Sequence, residues 1–225
     1  MNKKDLRGKI KEINDILEAQ LGIPERFGER NPLSSLIRTI LSQNTNDVNS
    51  GRAYANMRER FPTWEDVLNA DVQELADTIR VGGLANQKSI RIKDVLAWIK
   101  DTYGELNIDF VCDMEPSEAI ELLTNLKGVG LKTVYVMLSF ACGMDVFPVD
   151  THILRISKRL DIVPEKASAD KAHEIWADLF PRSKAFSLHI NLIKFGRLIC
   201  HSRKPECSGC PLMKHCIAWP EFLDA

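Results

Sequence analysis

The chain has 225 residues, 44% of them hydrophobic and 27% charged, with a formal net charge of −1. This is ordinary globular composition, enough for one sizeable core or two modest ones, and it excludes a low-complexity or disordered chain. No apolar run approaches the roughly 20 residues of a membrane span, and the charged start MNKKDLRGKIKEIND carries no export signal, so a cytoplasmic protein is expected.

Taken in order, helical spacing begins with Leu6, Ile10, Ile13 and Leu17 and resumes at Leu33, Leu36, Ile37, Ile40 and Leu41. Asn31 before Pro32 predicts an N-cap with proline at the first helical position. Asp71 to Glu74 predicts a capping box, with aspartate in place of the usual hydroxyl residue. Ser117, between Pro116 and Glu118, predicts another helix start. Gly22, Gly82 with Gly83, Gly104 and Gly143 each follow an apolar periodic run and predict stops. The one strand-like piece, MDVFPVD, is interrupted by Pro148. The expectation is an all-α protein of about ten helices with no flexible tether.

Charge is unevenly placed. From Glu105 to Glu121 there are six acids and no Lys or Arg; from Arg182 to Lys204 there are six Lys or Arg and no acid. That pattern suits either an anion-facing side or two solvated faces of opposite sign.

The stretch LKGVGLKT, residues 126–133, places Gly128 and Gly130 between two predicted helices, with Lys132 just inside the second. Glycines there let a backbone approach a ligand closely, and the amides opening a helix suit an anion. A plain helix–helix turn has the same look. Asp150, in VDTHILRIS, stands where an N-cap belongs, and an aspartate near a lysine also serves to hold charge and steer a proton. A desolvated lysine amine is a nucleophile that forms Schiff bases.

Of six cysteines, Cys112 and Cys142 are isolated and read as small core thiols; disulfides are not expected in a reducing compartment. The others form Cys200-x6-Cys207-x2-Cys210-x5-Cys216. Four thiolates in one short loop suit a metal centre, an iron–sulfur cluster ahead of zinc. His152, His173, His189 and His215 read as core or surface residues, since four thiolates already complete a site.

Taken together and in this order, LKGVGLKT, FPVDTHILRISKRL and the four-cysteine loop resemble the helix-hairpin-helix DNA glycosylases that end in an iron–sulfur loop, the endonuclease III branch above all. The resemblance runs from about residue 25 to residue 216. It implies two helical domains with a DNA-binding cleft between them: a six-helix barrel with the hairpin over 25–143, and a cluster-bearing domain made of 1–24 plus 144–225. It implies that Lys132 and Asp150 are catalytic and that Gly128 and Gly130 hold a DNA phosphate. It implies that Cys200, Cys207, Cys210 and Cys216 ligate a [4Fe–4S] cluster. Lys132 also separates the chain from the adenine-glycosylase branch, which has no lysine there.

GGLANQKS resembles the family's wedge loop and points to Leu84; ILSQNTND resembles its gap-filling segment, pointing to Gln43 and Asn44. Asn44 stands where the family typically has glutamine, a departure that bears on substrate range. On the residues alone, Leu84 reads equally as a helix-cap contact and Asn44 as a turn cap. Arg197, Arg203 and Lys204 are the basic groups expected to grip phosphates.

The implied activity is a bifunctional DNA glycosylase/AP lyase for oxidised pyrimidines, acting on double-stranded DNA with a damaged base or abasic site, as a monomer at the nucleoid. The alternatives are a mismatch glycosylase or abasic-site lyase, and a non-catalytic DNA-binding cluster protein.

Overall fold

A computed structural model describes residues 2–26 and 30–222. Among the described residues there is no strand; there are eleven α-helices and five short 3-10 turns. The chain divides into two compact units. One joins the N-terminal helix to everything from Asp145 onward, and the other is the intervening stretch up to Met144.

The first unit contains α1 (Lys3–Leu21). It forms because Ile10, Ile13 and Leu17 recur on one face and are fully buried, while Asn2 caps the start by accepting from the amides of Lys4 and Asp5. Against it lie α10 (Ala169–Leu179) and α11 (Ala185–Leu198), and α11 also packs on α9 (Thr151–Arg159). Phe147 and Trp176 stack at the centre, ring centroids 4.4 Å apart, and the Trp176 indole N–H donates to Ser157 Oγ at 2.9 Å. Burying each such side chain contributes about 1.5–3 kcal/mol. MDVFPVD forms no strand: Phe147 and Val149 go into this core.

The second unit runs through α2 (Pro32–Ser42), α3 (Asp47–Arg60), α4 (Trp64–Asn69), α5 (Val72–Thr78), α6 (Ala85–Tyr103), α7 (Pro116–Thr124) and α8 (Leu131–Phe140). At its centre is α2, whose Leu36, Ile37, Ile40 and Leu41 are fully buried against α8, α3 and α6. Asn31 and Pro32 cap and open α2 as expected. Gly104 closes α6 in the left-handed conformation, as its position promised.

Two local expectations need correction. Asp71 caps α5 through the amides of Gln73 and Glu74, but Glu74 turns away to Arg60, so the reciprocal half of that box is missing. The complete capping box is Thr63 with Asp66. The start at 116 has Glu115 as its N-cap and proline at the first helical position, so Ser117 is already inside.

The largest correction concerns Cys112 and Cys142. They are not separate core thiols; they are joined as a disulfide, Cα atoms 4.8 Å apart and 30 residues apart in sequence. Cys112 lies in the 3-10 turn before α7 and Cys142 just after α8. Neither spacing nor neighbours in the sequence reveal a pairing made by the folding back of two helices.

Candidate active site

The turn between α7 and α8 is built on Gly128, whose φ of +83° belongs to glycine. A Cβ there would also lie 2.6 Å from Arg91 Nε. Gly130 is different. Its φ is −84°, and a Cβ on it would meet nothing within 4 Å. Neither φ nor crowding demands glycine at 130, so the backbone there is open to an approaching ligand. Gly130 is also the N-cap of α8, which therefore has no side chain to bond its first amides. Those amides, with the helix dipole behind them, suit an oxyanion.

Lys132 follows two residues later and is exposed. A cation in the first turn faces the positive end of the dipole, so it is not there to stabilise the helix. It engages no carboxylate among the described residues. The groove it lines includes Arg91 and Lys127 and no Asp or Glu.

Two further expected residues border this unit's open side in unusual backbone states. Asn44, at the end of α2, has φ +52°, and Leu84, ahead of α6, has φ +50°. Leu84 is 48% exposed, so it is not the packed cap contact that its place after Gly83 also allowed. A left-handed leucine costs about 1–2 kcal/mol and here gains little burial in return. Strain of this kind gathers at functional positions. Gln43 behaves otherwise. Its amide is engaged inside the protein, accepting from Arg91 Nη1 at 2.5 Å and donating to Thr133 Oγ1 at 3.2 Å.

The remaining expected residues belong to the first unit. Asp150 is the N-cap of α9, its carboxylate accepting the Ile153 amide at 2.7 Å. The segment leading to it is held by two buried histidines. His173 Nε2 accepts the Val149 amide at 2.9 Å, which leaves Nδ1 to donate to Ala169 O, and His189 Nδ1 donates to Pro148 O. Both histidines are thus clamps, as the reading of them as core residues required. Their partners lie 24 and 41 residues away, which no local pattern shows.

Cys200, Cys207, Cys210 and Cys216 carry free thiols and line one cavity with Ile156, Leu160, Phe195 and Leu212. Burial, and then the neighbouring sulfurs of Cys216 and Cys200, push the Cys207 thiol up; burial also raises Cys210. Arg159 Nη1 donates to Cys200 Sγ at 3.1 Å and to His201 O at 2.7 Å, and Arg155 Nη2 donates to Cys200 O at 2.7 Å. Among the described residues, no three His, Cys, Asp or Glu side chains form a group that would hold a single metal ion. Arg197, Arg203 and Lys204 are exposed, and Lys204 has φ +49°. No described helix is long and apolar enough to cross a membrane.

Comparison with known proteins places these features. Residues 37–182 match the family model for HhH-GPD superfamily base excision DNA repair proteins. An Arabidopsis thaliana protein described as a candidate DNA glycosylase is 36% identical over 78% of this chain, which spans 60% of that relative's length. Endonuclease III of Sulfolobus acidocaldarius is 34% identical over 83% of this chain and 82% of its own. A trapped covalent endonuclease III–DNA intermediate superposes with a TM-score of 0.81 at 26% identity, covering 98% of each chain. A glycine hairpin with a bare lysine beside it, on a fold that matches over nearly its whole length, leads to one conclusion: the chain belongs to the HhH-GPD superfamily of base excision DNA repair proteins.

Proposed function

We propose that this chain is a bifunctional DNA glycosylase/AP lyase that removes oxidised pyrimidines of the thymine glycol type from duplex DNA. The glycosylase/lyase activity follows from the family and its endonuclease III members. The observation that carries the lysine mechanism is Lys132: exposed, without a carboxylate partner among the described residues, beside a glycine whose surroundings are open.

In this reading the hairpin amides and Lys127 take a backbone phosphate, and Leu84 and Asn44 fill the space left as the damaged nucleotide leaves the stack. Lys132 Nζ attacks C1′, the bond from C1′ to the base breaks, and the base departs with its electron pair and a proton. The C1′–O4′ bond then opens, O4′ takes a proton, and the resulting C1′–Nζ iminium acidifies C2′–H. Loss of the C2′ proton breaks C3′–O3′ by β-elimination and cuts the strand on the 3′ side. The Asp150 carboxylate stays ionised and offsets positive charge developing on the sugar. The enzyme works as a monomer, at the nucleoid by way of DNA.

The four thiols fit a [4Fe–4S] cluster better than a single ion. They share one cavity walled mostly by apolar side chains, and an arginine N–H meets one sulfur. When bound, the cluster cross-links the loop. The residues around it would then hold Arg203 and Lys204 outward for phosphates.

Borohydride trapping on duplexes carrying thymine glycol, uracil or thymine opposite guanine, or an abasic site tests the reading. A trapped adduct on thymine glycol that Lys132→Ala abolishes is the expected result. Asparagine at 44 keeps open a second reading, a glycosylase for uracil or thymine opposite guanine, and an adduct confined to those duplexes would replace the first with it. No adduct anywhere would replace the lysine mechanism with a monofunctional glycosylase or DNA binding alone.

A further inference from the structure

We propose that two side chains of α6, Lys88 and Arg91, are positioning residues that hold the wedge loop, the gap-filling loop and the catalytic hairpin in mutual register. The proposal rests on the functional reading given for Leu84, Asn44 and Lys132.

Lys88 is 2% exposed, an expensive place for an ammonium, and burial alone lowers its pKa from 10.5. Its Nζ donates to Leu41 O at 2.7 Å and to Gly82 O at 2.8 Å. The first carbonyl lies at the C-terminal end of α2, three residues before Asn44, where the helix dipole favours a cation. The second lies two residues before Leu84. One buried cation therefore ties the roots of both strained loops.

Arg91 is three residues further on and so on the same helix face. Its side chain runs through the space that Gly128 leaves open. Its Nη1 donates to Gln43 Oε1, and this decides the orientation of the amide: arginine only donates, so Gln43 turns its NH2 to Thr133, the residue after Lys132. A single guanidinium thus spans the gap-filling loop, the hairpin glycine and the first turn of the lysine helix.

Packing does not explain this arrangement, because the loop tips it controls are exposed. Register does. A wedge, a filler and a nucleophile have to meet one nucleotide, and a misplacement of about 1 Å costs on the order of 100-fold in rate.

The test compares wild type with Lys88→Met, Arg91→Met, Arg91→Lys, Gln43→Leu and the Arg91→Met/Gln43→Leu pair. Two readouts are taken: amide hydrogen exchange, and single-turnover cleavage of an abasic duplex with its Kd. Expected for Arg91→Met is faster exchange confined to residues 42–46 and 127–133, with a rate loss of about 10- to 100-fold. Binding should weaken by less than about threefold. Gln43→Leu should reproduce the effect and the pair should be no worse than either single variant, because both act through one chain of bonds. Arg91→Lys should not rescue, since an ammonium lacks the fork. Lys88→Met leaves two buried carbonyls unpaired, so if it does not fold, Arg91 carries the test. Unchanged exchange in those segments overturns the proposal, as does a rate loss matched by an equal loss of binding. If wild type itself cuts nothing, the lysine chemistry fails while the exchange pattern still decides the register.

Discussion

The two units treat their charged groups in opposite ways. In the first, Asp150 caps a helix, Arg155 and Arg159 are drawn to carbonyls and a sulfur, and two histidines brace the backbone before Asp150. In the second, Lys132 has no carboxylate partner among the described residues, Gly130 stands in open space, and Leu84 and Asn44 hold strained conformations at the surface. The contrast teaches where to look for chemistry. A group left unengaged at the surface points to a partner, while a group such as Asp150, engaged as a cap, must have its two roles separated by experiment.

The sharpest way to break this comparison is Lys132→Ala. It should abolish the trapped adduct and strand cutting while shifting stability by no more than about 0.5 kcal/mol, since an exposed side chain without partners is removed. Retained cutting at the wild-type rate would make the idle group irrelevant. Next comes Asp150→Asn, which keeps the cap but loses the charge. Asparagine caps as well as aspartate, so melting temperature should hold while base release slows by about 10²- to 10⁴-fold. A matching loss of melting temperature would reduce Asp150 to its structural role.

The disulfide gives a prediction of stability alone. Closing a loop of 30 residues constrains the unfolded chain by about 3.6 kcal/mol, so Cys112→Ser should lower unfolding free energy by that order. Denaturant curves with and without reductant check it, and the reduced wild type should coincide with the variant. Smaller again is Leu84→Gly. It relieves a left-handed leucine, so stability should rise by about 1 kcal/mol while cleavage of damaged duplex falls. Stability and rate moving together would remove the wedge.

The smallest effect is in the braced unit. Burial alone would raise the Glu18 carboxyl, but hydrogen bonds from Lys184 and Ser187 outweigh it and hold the group below its ordinary 4.5. A carboxylate held low stabilises the fold above its unfolded value, and that contribution fades as pH falls through the folded value. Glu18→Gln should therefore flatten the stability curve at and below about pH 4.5, by less than about 1 kcal/mol because Lys184 is 42% exposed. An unchanged acid limb would show that the pair contributes nothing.

Much of this was readable from residues. Asn31 with Pro32, Asp150 ahead of Ile153, and Gly128 all announce local conformations, because caps and left-handed turns are decided by neighbours in sequence. What could not be read depends on partners far along the chain. Lys88 meets a carbonyl 47 residues away, Arg91 an amide 48 away, and Cys112 a sulfur 30 away. In the sequence, Lys88 and Arg91 look like any cations on a solvated helix. Gly130 shows the converse. Its place was evident, but its φ of −84° is conformationally ordinary and the space beside it is open.

The bond from Cys112 to Cys142 encloses α7, the hairpin and α8, so the stretch that carries Lys132 is a closed covalent ring. A protease that severs the exposed backbone at Lys127 would open that ring without releasing either piece. The nicked protein would migrate as one intact mass until a thiol reagent is added, and only then fall into two.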